Sequence, residues 1–194
     1  MHSYHVSPSP LPRIHLAVAM FALGAAWLLH LTLAKVSFQT WWIETPSVFG
    51  FYMLLLEAWD RWLWCMLPQR NFLCIPRLDG IYRGILKSSF DQFQKEYEVT
   101  ITIHQDGRSI RARLETGQSH SDSSFALLDV YRTGERALTY LYRNEPNPDA
   151  PDTMHIHYGV CSLQFSGSLP ETLSGHYWSG RDRNNHGLIE VRRV

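Results

Sequence analysis

Apolar positions follow two different patterns along this chain. Up to about Leu67 they form long runs: Ile14 to Ala34 holds neither a Pro nor a formal charge, and Val48 to Leu67 is apolar except at Glu57, Asp60 and Arg61. From Ile75 onward they alternate with polar residues, as Tyr97, Val99, Ile101 and Ile103 do with Glu98, Thr100, Thr102 and His104. A run of about 20 apolar residues matches a membrane-spanning helix, whereas a period of two marks a half-buried strand. The expected organisation is an N-terminal tail and two-helix transmembrane anchor over residues 1–74, with helices at about 14–35 and 48–67, and then a β domain over residues 75–194.

Each apolar run has a competing reading. A cleaved secretory signal fits the first poorly, because its apolar core exceeds the usual ~7–15 residues and Arg13 alone charges its entry. The second run carries three central charges at roughly +3 kcal/mol each, so it inserts only with partners. Gly50, Met53, Glu57, Asp60, Arg61 and Trp64 share one helical face, and Glu57 stands four residues before Arg61, the favourable ion-pair order. The alternative is an interfacial helix with Trp59, Trp62 and Trp64 at headgroup level. Trp41 and Trp42, in the connector between the runs, suit an aromatic belt. Arg13 before the first helix, and Arg70, Arg77, Arg83 and Lys87 after the second, predict that both termini and the β domain are cytoplasmic. Lys35 in the connector opposes that bias without reversing it. Cys65, Cys74 and Cys161 are then expected to be reduced thiols, and their spacing matches neither a disulfide framework nor a zinc site.

In the second part, Asp106-Gly107 is a preferred hairpin turn, and pairing around it would place Ile103 against Ile110, Ile101 against Ala112 and Val99 against Leu114. Further strands are expected at residues 81–89, 124–131, 136–143, 154–165, 173–178 and 187–193, with Asn144 to Asp152 a loop by composition. Eight short antiparallel strands without a helix suggest a small closed barrel, with a sandwich as the alternative.

Charge narrows the ligand. The β domain holds fourteen basic and fifteen acidic residues, so it has no footprint for long nucleic acids. His155 and His157 could supply two metal ligands, but no third is evident and a surface pair explains them as well. The serines around Asp122 lack a nucleophile-elbow pattern and read as a polar loop and strand start. No enzyme, metal or cofactor is expected. The segment HYWSGRDRNNHG, His176 to Gly187, is denser: guanidinium groups grip phosphate and aromatic faces stack on bases, or else the aromatics fill a barrel end and the arginines sit in a turn.

LDGIYRGILKSSFD (Leu78 to Asp91) and LSGHYWSGRDRNNHGLIEV (Leu173 to Val191) resemble the first and last strands of the two-transmembrane, β-strand-rich effectors of bacterial CBASS anti-phage systems. The family pattern falls on Gly80, Tyr82 and Gly84, and on Gly175, Tyr177, Arg181 and Gly187. Tyr82 stands where Trp is expected, and Asn184-Asn185-His186 lengthens the last turn. The resemblance implies an inner-membrane receptor for a cyclic oligonucleotide, such as a cyclic dinucleotide, made by a cGAS/DncV-like nucleotidyltransferase. Binding would drive oligomerisation, membrane disruption and cell death. The candidate ligand contacts are Tyr82, Arg83, Tyr177, Trp178, Arg181 and Arg183, with Glu57, Asp60 and Arg61 serving membrane assembly. A membrane-tethered lipocalin-like carrier of an apolar ligand and a metal-dependent hydrolase are the alternatives.

Overall fold

The computed structural model describes residues 1–7, 9–34, 41–64, 75–130, 136–150, 154–180 and 183–194, with the side chains of 33–34 and 41–47 excepted. The chain forms two compact units, Met1–Pro8 with Cys74–Val194, and Ser9–Leu73. The first unit is a closed barrel of nine strands: β1 (His2–Ser7), β2 (Gly80–Ser88), β3 (Tyr97–Gln105), β4 (Ser109–Thr116), β5 (Ser119–Asp129), β6 (Arg136–Pro146), β7 (His157–Phe165), β8 (Thr172–Ser179) and β9 (His186–Arg193). Strands β2 to β9 are the eight expected from sequence, an antiparallel meander closed by β9 on β2.

The ninth strand corrects the reading of the N-terminus as a tail. Strands β4 and β5 pair directly only from Arg113–Asp122 to Glu115–His120. Beyond that they part, and β1 enters the seam, antiparallel to β4 at His2–Ile110 and parallel to β5 from Tyr4–Ala126 to Ser7–Asp129. Ser123 stands at the fork. Its Oγ accepts from the Ala112 N–H at 2.9 Å and meets His2 Nε2 at 2.7 Å, and the β5–β6 register slips there in a bulge between Ser123 and Phe125. A bulge bends its strand and adds twist, which opens the seam that β1 fills.

The expected hairpin is present with its register moved by two. Ile103 pairs with Ala112, Ile101 with Leu114 and Val99 with Thr116. Asp106 is the cause. Its Oδ1 accepts from the N–H groups of Arg108 and Ser109 at 2.8 and 2.6 Å, while its own N–H bonds the Ser109 carbonyl. Asp106 therefore ends the ladder as an Asx turn, and Gly107-Arg108 forms the tip. Because the shift is even, every side chain keeps the face expected of it.

Apolar packing is concentrated at one end. Leu78, Ile101, Ile103, Ile110, Leu128, Leu138, Leu163, Leu173 and Val191 are fully buried. Tyr82 closes this end: its hydroxyl donates to the Leu78 carbonyl at 3.0 Å and accepts from Arg193, whose guanidinium lies 4.8 Å from the ring centroid. Burial raises the Tyr82 hydroxyl above its ordinary value, with Arg193 opposing. The family glycines reflect close strand approach. A Cβ on Gly84 would stand 2.0 Å from the Glu190 carbonyl oxygen, and one on Gly175 would stand 1.9 Å from that of Ser162. Both obstacles are backbone. Gly84→Ala should therefore lower barrel stability by about 1–3 kcal/mol, read as a fall in the denaturation midpoint; an unchanged midpoint would show that β2 and β9 can separate freely.

The second unit holds α1 (Leu11–Ala34) and α2 (Trp41–Ala58), the latter running into a π-helical turn at Trp59–Leu63. Helix α2 begins seven residues before the expected start, and residues 65–67, its expected end, lie outside the described residues. Ile14, Val18, Ala22 and Ala26 recur every four positions on the buried side of α1, and His15 Nδ1 meets the Tyr52 hydroxyl at 2.7 Å. Among the described residues one helix, over Leu11–Thr32, is long and apolar enough to cross a membrane; the expectation of two such helices is met for the first only. Glu57 Oε1 accepts from Arg61 Nε at 2.6 Å, as the spacing predicts, and both side chains are more than half exposed. Trp64 is buried instead, so it does not share the exposed face of the Glu57–Arg61 pair as expected.

Candidate functional site

The end of the barrel opposite Tyr82 is hollow. A cavity of about 640 Å³ is lined by the C-terminal ends of β2, β4, β6 and β8 and the N-terminal ends of the other meander strands, a volume within the ~300–1,000 Å³ of small-molecule sites. Alternation places its walls. On β6, Tyr140, Tyr142 and Asn144 face in while Leu141, Arg143 and Glu145 face out; on β8, Tyr177 and Ser179 line the cavity while His176 and Trp178 do not.

The aromatic groups are held in place by hydrogen bonds. The Tyr177 hydroxyl donates to Ser88 Oγ at 2.8 Å, that of Tyr97 to Asp91 Oδ2 at 3.1 Å, and that of Tyr142 to the Trp178 carbonyl at 3.4 Å. Tyr142 lies across β7 because Gly159, its register partner, leaves room: a Cβ there would stand 2.3 Å from the Tyr142 ring end. Asn144 Nδ2 donates to Ser119 and Ser121 at 3.1 and 2.9 Å. Asn144 Oδ1 is buried with no hydrogen-bond partner among the described residues, a condition that costs about 1–3 kcal/mol, while the buried Tyr140 hydroxyl lies beside the Cys161 thiol.

The titrating groups of the cavity wall are mostly neutral at pH 7. Burial raises the hydroxyls of Tyr140, Tyr142 and Tyr177 above the ordinary phenol value, and pushes the Cys161 thiol up to about 12. Desolvation lowers His157, opposed by its hydrogen bond to the His155 backbone and aided by the Arg183 charge. Nδ1 of His157 donates to the His155 carbonyl at 3.0 Å, so in the neutral ring Nε2 is the acceptor. Charge in the lining comes from Lys95, Arg183, Glu96 and Glu98, and Lys87 offsets Glu96 at 2.8 Å. The arrangement suits a ligand with flat rings to stack and an anionic group to meet Arg183 or Lys95. Among the described residues no cluster could hold a metal ion.

Of the six expected ligand contacts, the structure brings Tyr177 and Arg183 to the cavity. Tyr82 seals the other end, Arg83 is exposed on β2, and Trp178 is exposed on the outer face of β8 beside His176, at 5.9 Å between centroids. Arg181, Cys65 and Cys74 lie outside the described residues. Sequence reasoning missed Tyr97, Tyr140, Tyr142, Asn144, Ser119 and Ser121. The serines read as a loop because a polar barrel interior mimics one, and the alternation on β6 was legible but could not say which face was inner.

Residues 73–193 match the family model of the Cap15 cyclic dinucleotide receptor domain. The chain belongs to the Cap15 family. It is 31% identical over 151 residues to CD-NTase-associated protein 15 of Yersinia aleksiciae, the alignment covering 76% of this chain and 70% of that protein. The resemblance to CBASS effectors drawn from the strand motifs thus holds at the level of a cyclic dinucleotide receptor. The Cap15 match begins after the helices, so β1 lies outside it.

Proposed function

We propose that the chain is a membrane-anchored CBASS effector whose barrel takes a cyclic dinucleotide in the open-end cavity, and whose helices disrupt the inner membrane once liganded copies assemble. The observation that carries this reading is the cavity itself, where four tyrosines stand with Arg183 and Lys95 in a volume of small-molecule size. Aromatic faces accept bases and a guanidinium accepts a phosphodiester. The hydroxyl, amide and charged groups set among the lining's aromatic and aliphatic side chains favour a nucleotide over the apolar cargo of a carrier.

The membrane half rests on the helices. Leu16, Met20, Phe21, Leu23, Trp27, Leu28 and Leu31 are all exposed on α1, an apolar surface that lipid would cover. Arg13, ahead of most of the span, supports a cytoplasmic N-terminal side and barrel, where a nucleotidyltransferase product arises. Glu57 and Arg61, exposed as a pair in one copy, gain partners when copies meet, because an intramembrane charge is satisfied by neighbouring helices or a water-filled defect.

The test is dye release from phosphatidylethanolamine–phosphatidylglycerol vesicles holding the full chain. A cyclic dinucleotide should trigger release, and Glu57→Leu with Arg61→Leu should slow it at least tenfold at unchanged ligand affinity. Undiminished release from the double variant removes the pair from the mechanism. No release from the unsubstituted protein, despite binding, contradicts membrane disruption.

A further inference from the structure

We infer that the outer face of β5 to β8 is the surface on which a second copy of this chain docks when the cavity is filled. The inference rests on the receptor reading above and assigns the assembly it requires to particular residues. Phe125 pairs with Leu141, Leu141 with Val160, and Val160 with Trp178, so the four form one row across four adjacent strands, each between 36% and 55% exposed. Tyr158, two positions before Val160 on the same face of β7, widens it. A solvated antiparallel sheet ordinarily turns polar residues outward, so an unbroken apolar row is a departure that needs a partner.

Size points to a second copy. With ~150–250 Å² per aromatic side chain, the five half-exposed residues present roughly 500 Å², toward the upper end of the largest patches on monomers. Two such faces bury about 1,000 Å² together, the floor for a biological interface and the size of a transient, ligand-dependent one. Row against row is self-complementary, as a two-fold contact requires, and a chain of zero formal net charge does not repel its copy.

Register ties this face to the ligand. Leu141 lies between Tyr140 and Tyr142, Val160 precedes Cys161, and Trp178 lies between Tyr177 and Ser179; each of these neighbours lines the cavity. The Tyr142 hydroxyl, crossing β7 at Gly159, donates to the Trp178 carbonyl at 3.4 Å. A ligand that moves Tyr142 or Tyr177 therefore acts on the backbone that carries Leu141 and Trp178.

The experiment uses the full chain in detergent micelles, titrated with cyclic di-GMP, cyclic di-AMP, cyclic GMP–AMP and cyclic UMP–AMP, with calorimetry reading binding and light scattering reading size. The nucleotide that binds should also enlarge the particle. Phe125→Glu with Val160→Glu, which Leu141 separates, should keep affinity within about threefold and lose the enlargement, whereas Ile81→Glu on β2 keeps both. In a Cys65→Ser, Cys74→Ser background, Leu141→Cys should be joined to its copy by a short bismaleimide only when nucleotide is present. Undiminished enlargement in the double Glu variant overturns the inference, as does binding without enlargement in the unsubstituted chain. Should the Glu variant lose binding, cross-linking of Leu141→Cys that is absent or indifferent to nucleotide overturns it instead. If no nucleotide binds the unsubstituted chain, the receptor reading fails and this inference falls with it, a result distinct from the others.

Discussion

Deleting His2–Ser7 from the full chain should lower the melting temperature of the barrel by about 10 °C or more. The strand is short, but its loss unpairs two residues of β4 and four of β5, from Ala126 to Asp129. Each lost ladder bond costs about 1 kcal/mol net, and buried groups left unpaired cost more. Removing the buried Val6 side chain adds roughly 1.5–3 kcal/mol. Several kcal/mol is a large part of the ~5–15 kcal/mol that holds a domain folded. The exposed β5 edge would also be a template for aggregation. Differential scanning fluorimetry of the full chain and the deletion checks the first consequence, and an equal melting temperature would show that β1 is not part of the folded barrel. A barrel expressed from residue 75 alone lacks this strand, so ligand measurements belong on the full chain.

Arg183→Ala and Tyr142→Ala should each weaken cyclic dinucleotide binding by about 10–100-fold, on different grounds. A hydrogen bond to a charged group is worth ~1.5–3 kcal/mol, and Arg183 is a cationic lining residue near the lengthened β8–β9 turn. Its removal should flatten the salt dependence of affinity, because the lost contact is electrostatic. Tyr142 offers a ring instead, and stacking on an aromatic is worth ~1–3 kcal/mol per base. Tyr142→Phe keeps the ring and loses only the bond to the Trp178 carbonyl, so it should bind close to normally. Titration of the variants at low and high salt separates the two contributions. Equal affinity in Tyr142→Ala and the unsubstituted chain would place the bases elsewhere.

Strands β2 to β9 were legible in the sequence because outward polar and inward apolar positions alternate wherever one face is packed. The reading faltered where that chemistry inverts. Ser119 and Ser121 face the cavity, so the first half of β5 looked like a loop, and β6 looked shorter than it is because Asn144 to Pro146 resembled the loop that follows. The N-terminal strand was not legible for another reason: His2, Tyr4 and Val6 alternate over six residues, too few to stand out, and its partners lie more than 100 residues away. Tyr177 and Arg183, which line the cavity, were singled out through the density of aromatic and basic residues in one turn. Tyr82 and Trp178 were grouped with them on residue type, yet one seals the opposite end and the other faces out.

The most direct test of the receptor account is calorimetric titration of the full chain in micelles with the four cyclic dinucleotides, beside Arg183→Ala. The account predicts that at least one binds with micromolar or tighter affinity at one per barrel, and that the substitution weakens it at least tenfold. A folded barrel that binds none of them, or that binds one with the same affinity when Arg183 is removed, would contradict the cavity as the nucleotide site.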